Sequence, residues 1–430
     1  MKFLKWLYPG LRVKRWLLLA FIGVILIGVG AVTASGNWFV FNAELSLRLL
    51  LYQLTGINSS VLSGVLIFTF GGLMVIFGLR KVFRSLMVSL LPGTDGELIN
   101  YLYQHRSLQK GPRIVVLGGG TGLSVLLRGL KRYTSNLTAI VTVTDDGGSS
   151  GRLRDELGVL PPGDIRNCLV ALADTENLMN EMLSYRFEQG QGLVGHSLGN
   201  LLLVAMSERA GGFVPAIQEL GKVLALRGQV LPATLSHEVL CAELLDGQII
   251  EGETKITRNG SKGIKRIFLK PGNPQPLQAS LEAIARAEAI ILGPGSLYTS
   301  VIPNLLVDGV VEAIRQARGM KIYICNVMTQ PGETDHFTAS DHLRVIYEHC
   351  GDNLVDYIIV NNQQVRPQQL RKYEAKGAYP VKVDTRGLAG LNVKIVQESL
   401  LDQSDMVRHD PRQLAETVIR LIYRKGLWKR

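Results

Sequence analysis

Residues 113–131, RIVVLGGGTGLSVLLRGLK, decide the fold. Arg113–Leu117 is a run of branched apolar residues stopped by glycine, the pattern of a strand buried on both faces. Gly118-Gly119-Gly120-Thr121-Gly122 then supplies a tight turn, and Gly122–Lys131 carries a helical pattern. Strand, glycine turn and helix in that order open a βαβ unit. Working outward, Leu137–Val143 (LTAIVTV) reads as the next strand, and Asp164–Ala173 and Leu198–Ala210 as helices, with Asp164 a candidate N-cap. Leu240–Glu251 has the pattern of a hairpin turning at Asp246-Gly247. Ala289–Leu292, Lys321–Cys325 and Tyr357–Val360 are further short apolar runs, and Pro411–Arg424 is a closing helix with proline acceptable in its first turn. The alternation predicts an α/β fold over 112–430: a Rossmann-like, mostly parallel sheet with helices on both faces.

The region before it has another character. Two charge-free apolar runs, Leu17–Ala34 and Val61–Leu79, are each close to the length that crosses a bilayer. Residues 1–110 hold eleven basic and three acidic side chains, so +8 of the chain's net +11 lies there. Five basic residues precede the first run and Arg80, Lys81 and Arg84 follow the second; the positive-inside rule then puts both ends in the cytoplasm. Trp16 and Trp38 suit interfacial positions. A cleaved signal peptide is the competing reading of the first run, but the run exceeds a normal signal core and a second follows. The expected organisation is a two-helix transmembrane hairpin over 1–84, a linker over 85–111 and a cytoplasmic domain over 112–430. The expected location is the plasma membrane, as a multi-pass protein.

With 47% apolar and 19% charged residues, the composition excludes a disordered or collagenous chain. Cys168, Cys241, Cys325 and Cys350 are far apart with no CxxC pair, which argues against a disulfide scaffold or structural zinc. The charge is concentrated near the hairpin, and no basic stripe in the folded part suggests nucleic acid.

In open α/β sheets ligands sit beyond the carboxyl ends of strands, and several such ends here carry unusual chemistry. Gly118, Gly119, Gly120, Thr121 and Gly122 could admit a phosphate to a helix N-terminus; the competing reading is a turn tightened for packing. The pattern is neither GxGxxG nor a P-loop. After the next strand come Asp145, Asp146, Gly147 and Ser149, where a carboxylate could hold a ribose hydroxyl or a divalent ion. Asp164, Arg166 and Asn167 surround a helix start, as a capped helix with a local ion pair or as ligand contacts. Gly293, Pro294, Gly295, Ser296, Tyr298 and Thr299 form a second glycine and hydroxyl turn, able to take a phosphate or a uracil ring against Tyr298. Asn326–Glu333 could add a further wall.

Gly195-His196-Ser197-Leu198-Gly199 matches the GxSxG elbow of serine hydrolases, but no strand precedes it and no oxyanion segment is seen. His196 and Asn200 stay as pocket candidates. His237, His336, His342 and His349 form no metal-spaced cluster.

GGGTGLSVLLRGLK, VTVTDDGGSSGRLRDELGVLPPGDIRNCLVALAD, GHSLGNLLL, GPGSLYTSVIPNLLV, CNVMTQPGETD and VRHD together closely resemble the gluconeogenesis factor family, within the 2-phospho-L-lactate transferase superfamily. The resemblance covers 111–430 in order, and the two N-terminal runs resemble membrane-anchored members. It implies a nucleotide-sugar ligand, chiefly UDP-N-acetylglucosamine, and a regulatory role in cell shape, peptidoglycan synthesis and gluconeogenic growth, with no settled reaction. Implied partners are that ligand, the membrane and a regulatory protein of wall synthesis; a homodimer is compatible. Arg408 matches an arginine implicated in binding the nucleotide sugar. Where some members carry a phosphorylatable threonine, this chain has Pro411. No cofactor is implied with certainty, although the transferase relatives use a divalent ion, magnesium being the natural choice. Their GPSNP-type loop is replaced here by Gly293–Leu297. The sensor, the phospho-transferase and the hydrolase remain the three readings at this point.

Overall fold

The computed structural model describes residues 14–35, 60–90, 107–174, 176–259, 263–424 and 426. The chain divides into two units, Met1–His105 and Arg106–Arg430. Trp38, the loop between the apolar runs and Pro92-Gly93 lie outside the described residues.

In the first unit, helices Lys14–Ser35 and Ser60–Leu90 pack antiparallel. The second runs on past Arg84, where the anchor was expected to end. Their seam is lined by glycine because the backbones nearly touch. A Cβ on Gly23 would sit 2.8 Å from the Gly71 oxygen, and one on Gly30 2.8 Å from the Gly64 oxygen. Small residues permit such an approach, the packing by which dispersion can join helices in lipid, where hydrophobic exclusion offers no gain. Large apolar side chains point outward, with Phe21 at 64% and Leu73 at 65% exposure. The Thr33 and Thr69 hydroxyls bond back to the Val29 and Val65 carbonyls (both 2.9 Å), so neither is left unpaired on an apolar helix. Lys14–Ala34 and Val61–Ser85 are long and apolar enough to cross a membrane.

The second unit is built on seven strands, β1 (Ile114–Gly118), β2 (Leu137–Val141), β3 (Gln229–Pro232), β7 (Ala289–Leu292), β8 (Met320–Ile324), β9 (Tyr357–Asn361) and β10 (Lys394–Glu398). They form one sheet in the order β10-β9-β8-β7-β1-β2-β3, all neighbours parallel. Successive side chains of β1 enter opposite cores. Ile114 and Val116 join one with helices Gly120–Leu130, Gly163–Leu172 and Pro411–Arg424; Val115 and Leu117 join the other with Val310–Gln316 and Ala339–Cys350. Both faces are thus covered, which is why the strands read as unbroken apolar runs.

The expected hairpin is present as β4 (Val239–Leu244) and β5 (Ile249–Glu251), but β6 (Ile264–Lys270) pairs on the other side of β4 and makes a separate antiparallel sheet. One local expectation fails. Asp164 does not cap its helix: Pro162 is the N-cap residue, without a side-chain cap bond, and the Asp164 carboxylate serves another loop.

Candidate functional site

β1 is the switch point of the sheet. The chain leaves it toward β2 on one side and returns as β7 on the other, so the loops after β1 and β7 diverge and open a crevice. A cleft of about 390 Å³ lies there. Its lining includes Gly119, Gly120, Thr121 and Gly122 from the β1 loop and Pro294, Gly295, Ser296, Thr299 and Ser300 from the β7 loop. Asn326 and Gln330 follow β8, Arg408 and His409 precede the last helix, and Glu253 opens the helix Glu253–Asn259.

Packing needs these glycines. A Cβ on Gly122 would lie 2.6 Å from the Pro294 oxygen, and one on Gly119 would lie 2.7 Å from Asp164 Oδ2. Gly120 has φ +64, a conformation that costs an L side chain, and begins the helix. Its N–H donates to Asp164 Oδ2 at 2.6 Å. Across the cleft, Ser296 caps the next turn by accepting from the Thr299 N–H at 3.3 Å. Asn304 ties the two loops from below, donating to the Gly118 oxygen at 3.1 Å and the Ser300 oxygen at 2.7 Å. Asp410 accepts from the Arg412 and Gln413 N–H groups (2.9 and 2.8 Å) with Pro411 at the first helical position, which fixes where Arg408 leaves the chain.

Carboxyls gather around the cleft floor. Burial raises the Glu253 carboxyl well above the usual range, and the neighbouring Asp145 and Asp164 charges raise it further. Burial likewise raises Glu333, which accepts from Gln330 Nε2 at 2.5 Å, from Thr257 Oγ1 at 2.9 Å and from the Ser296 hydroxyl. Asp164 is pushed up to about 6, first by burial and then by Asp145, against the bond from Gly120. Burial lowers His409 to about 4, so its ring is neutral at pH 7.

The β2 loop does something else. Asp146 Oδ1 accepts from the Thr254 N–H and hydroxyl at 2.9 and 2.7 Å, and Asp145 Oδ1 from the Gly147 N–H at 2.9 Å. Ser149 Oγ lies 2.9 Å from His196 Nδ1 and accepts from Asn200 Nδ2 at 3.1 Å. Arg166 donates to Ser197 Oγ at 2.6 Å and to Asn167 Oδ1 at 2.7 Å. These residues form a polar network beside the cleft, buried at Ser149, Arg166, His196, Ser197 and Asn200 and half-buried at Asp145 and Asp146, and are absent from its lining. Ser197 is fully buried and caps the helix Leu198–Ala210, so it has neither the strand nor the exposure of a hydrolase elbow. Gly118 ends β1 and Gly293 directly follows β7. Tyr298 is 1% exposed and meets Phe337 and His349 edge-on in the core, so its ring offers the cleft no face for a uracil. Among the described residues no three His, Cys, Asp or Glu side chains are arranged to hold a metal ion, and the β2 carboxylates are already engaged. The magnesium of the transferase reading therefore finds no ready ligand set.

Among the lining residues Glu253 lies outside every motif singled out above; Val125, Ser300, Val327, Met328, Gln330, Val407 and His409 lie inside those motifs. Glu253 reaches the cleft because Gly252, with φ +98, turns the chain after β5 where a side chain would strike Asp146.

Residues 114–401 match the family model described as 2-phospho-L-lactate transferase CofD. A gluconeogenesis factor of Halalkalibacterium halodurans is 52% identical over 311 residues, covering 72% of this chain and 96% of that one. The Bacillus subtilis gluconeogenesis factor is 48% identical over 312 residues, covering 72% and 98%. A Nostoc sp. relative is 49% identical over 420 residues, covering 97% of this chain and 92% of its own. A crystal structure of a Bacillus halodurans protein, 52% identical, superposes with a TM-score of 0.70 over 72% of this chain and all of that one.

Proposed function

This chain belongs to the gluconeogenesis factor family, among the CofD-like proteins, and from that premise we propose that its cleft binds a nucleotide sugar, UDP-N-acetylglucosamine, as the signal of a regulatory protein. The carrying observation is the facing pair of glycine loops with Arg408 between strand ends and last helix. Beyond Gly120, whose N–H is committed to Asp164, the first-turn N–H groups of Gly120–Leu130 suit one phosphate, and a guanidinium fork suits a diphosphate through paired charge-assisted bonds. Among the described lining residues Arg408 is the one with a permanent positive charge. Glu253, whose carboxyl burial and the nearby Asp145 and Asp164 raise well above the usual range, is less ready to oppose the diphosphate with a charge than an ordinary glutamate would be.

Calorimetry on the purified protein tests the ligand: saturable heat with UDP-N-acetylglucosamine supports it, and no heat at millimolar ligand from folded protein rejects it. Arg408→Ala should weaken binding by about 2 kcal/mol, roughly thirtyfold, with the melting temperature unchanged. An unchanged affinity removes Arg408 from the site.

The hairpin, in this reading, holds the cleft unit at the cytoplasmic face of the plasma membrane, where a partner in wall synthesis would read its occupancy and couple it to cell shape and gluconeogenic growth. A carboxy-terminal green fluorescent fusion should fluoresce and a phosphatase fusion there should be inactive; the reverse pattern inverts the topology. The match to the CofD model favours one second reading, phospho-transfer from a nucleotide-activated donor. Mass analysis after incubation with such a donor, a flavin-like acceptor and magnesium would reveal a product.

A further inference from the structure

The hairpin gathers positive charge at one end. Antiparallel packing brings the start of Lys14–Ser35 beside the last turns of Ser60–Leu90: the Trp16 and Phe77 rings meet edge-on at 5.9 Å, and a Cβ on Gly78 would sit 2.8 Å from the Trp16 oxygen. Lys81 lies over both rings, with its nitrogen 5.5 Å from each centroid. That ammonium is occupied by the aromatic faces. Lys14, Arg15, Arg80 and Arg84 are exposed around it, on residues distant in sequence and close in space. No ion pair involves any of the four among the described residues, and the chain has only three acidic residues before position 110.

We infer that this end of the hairpin is a binding site for the phosphate headgroups of anionic phospholipids, with Lys14, Arg15, Arg80 and Arg84 as its contacts. The proposal rests on the reading of the hairpin as membrane-spanning. Long flexible cations at the edge of an apolar span reach the headgroup layer, where an anionic surface attracts each of them. Trp16 sits at the same level as a reporter, and its packing on Phe77 and Lys81 gives the cluster a fixed base rather than a loose basic tail.

The test uses the full-length chain with Trp6, Trp38 and Trp428 changed to Phe, leaving Trp16 as the sole tryptophan, reconstituted in vesicles. Quenching by brominated phosphatidylglycerol is compared with quenching by brominated phosphatidylcholine. The expected result is an apparent preference of about fivefold for the anionic lipid. The variant combining Lys14→Gln, Arg15→Gln, Arg80→Gln and Arg84→Gln should lose the preference, and the charge-conserving Lys14→Arg with Arg80→Lys should keep it. Retention on the vesicles through an alkaline carbonate wash is measured in parallel. Equal quenching by both lipids in carbonate-resistant protein overturns the lipid site and leaves the anchor standing. Protein released by carbonate overturns the anchor and the site together. Abolition of the preference by inorganic phosphate would show a free-anion site and overturn the lipid assignment.

Discussion

The loops after β1 and β2 look alike in sequence and serve different ends. GGGTG and TDDGGSSG each follow a buried strand, hold several glycines and lead into a helix. The first lines the cleft, and the second turns its side chains inward to Thr254, Gly147, His196 and Asn200. The difference lies in what stands opposite. The β1 loop meets the β7 loop at Gly122 and Pro294, and the two line the cleft together. The β2 loop faces the chain that follows β5, which supplies partners for its carboxylates. A glycine turn at a strand end becomes a cleft wall where its surroundings leave room, and a structural joint where they fill it.

Substitution can break this contrast. Gly122→Ala should cost the most, about 3 kcal/mol, because the new methyl meets Pro294 backbone atoms at 2.6 and 2.9 Å and the two loops must part. Urea unfolding would show the loss, and ligand binding should go with it. Asp164 holds the β1 loop through the Gly120 N–H and gives the contrast a pH signature. Its carboxyl titrates near 6 when folded, against an ordinary 3.8. Between those values the folded chain holds a proton that the unfolded chain has released. Its contribution to stability is therefore present below about 4 and is lost as pH rises through 6. Asp164→Asn keeps an acceptor for Gly120 and removes that slope. The variant should gain on the native chain as pH rises from 4 to 7, by up to about 2 kcal/mol, in paired denaturation curves. A parallel pair of curves would exclude the shift.

Asp146→Ala loses two hydrogen bonds to Thr254 and should cost about 1.5 kcal/mol while leaving nucleotide-sugar affinity within twofold. A large affinity loss would move the β2 loop back into the site. Gly148→Ala is the mildest: its added methyl meets nothing within 4 Å, and only φ +50 opposes it, so about 1 kcal/mol is expected by thermal melting. Were it as harmful as Gly122→Ala, the distinction between the loops would fail.

The sheet was legible because burial on both faces leaves a local mark: RIVVL, LTAIVTV, AIIL and KIYIC are strands on apolar run alone. β3 (QVLP) and β10 (KIVQE) were not, since edge strands are short and half-polar. Glycine loops also announced themselves. What sequence could not assign was the partner of each polar group. Asp164 has the spacing of a helix cap, and only the fold shows its carboxylate committed to Gly120, 44 residues away. Glu253 gave no sign of the cleft, because its place depends on where β5 ends and on the Gly252 turn. Tyr298 misled for the opposite reason: its neighbours Ser296 and Thr299 face the cleft while helical geometry turns its own ring into the core.

The contact between Gly129 and the Pro411 carbonyl, where a side chain could not fit, joins the α/β unit's opening helix to its closing one. A ribosome delivers these partners in strict order. The nascent β1 unit emerges with one flank bare, and its mate follows some 280 residues later, on the order of tens of seconds at ordinary elongation rates. Until then the young chain carries an uncovered apolar flank, the condition that exposes large nascent chains to aggregation and that chaperones exist to relieve.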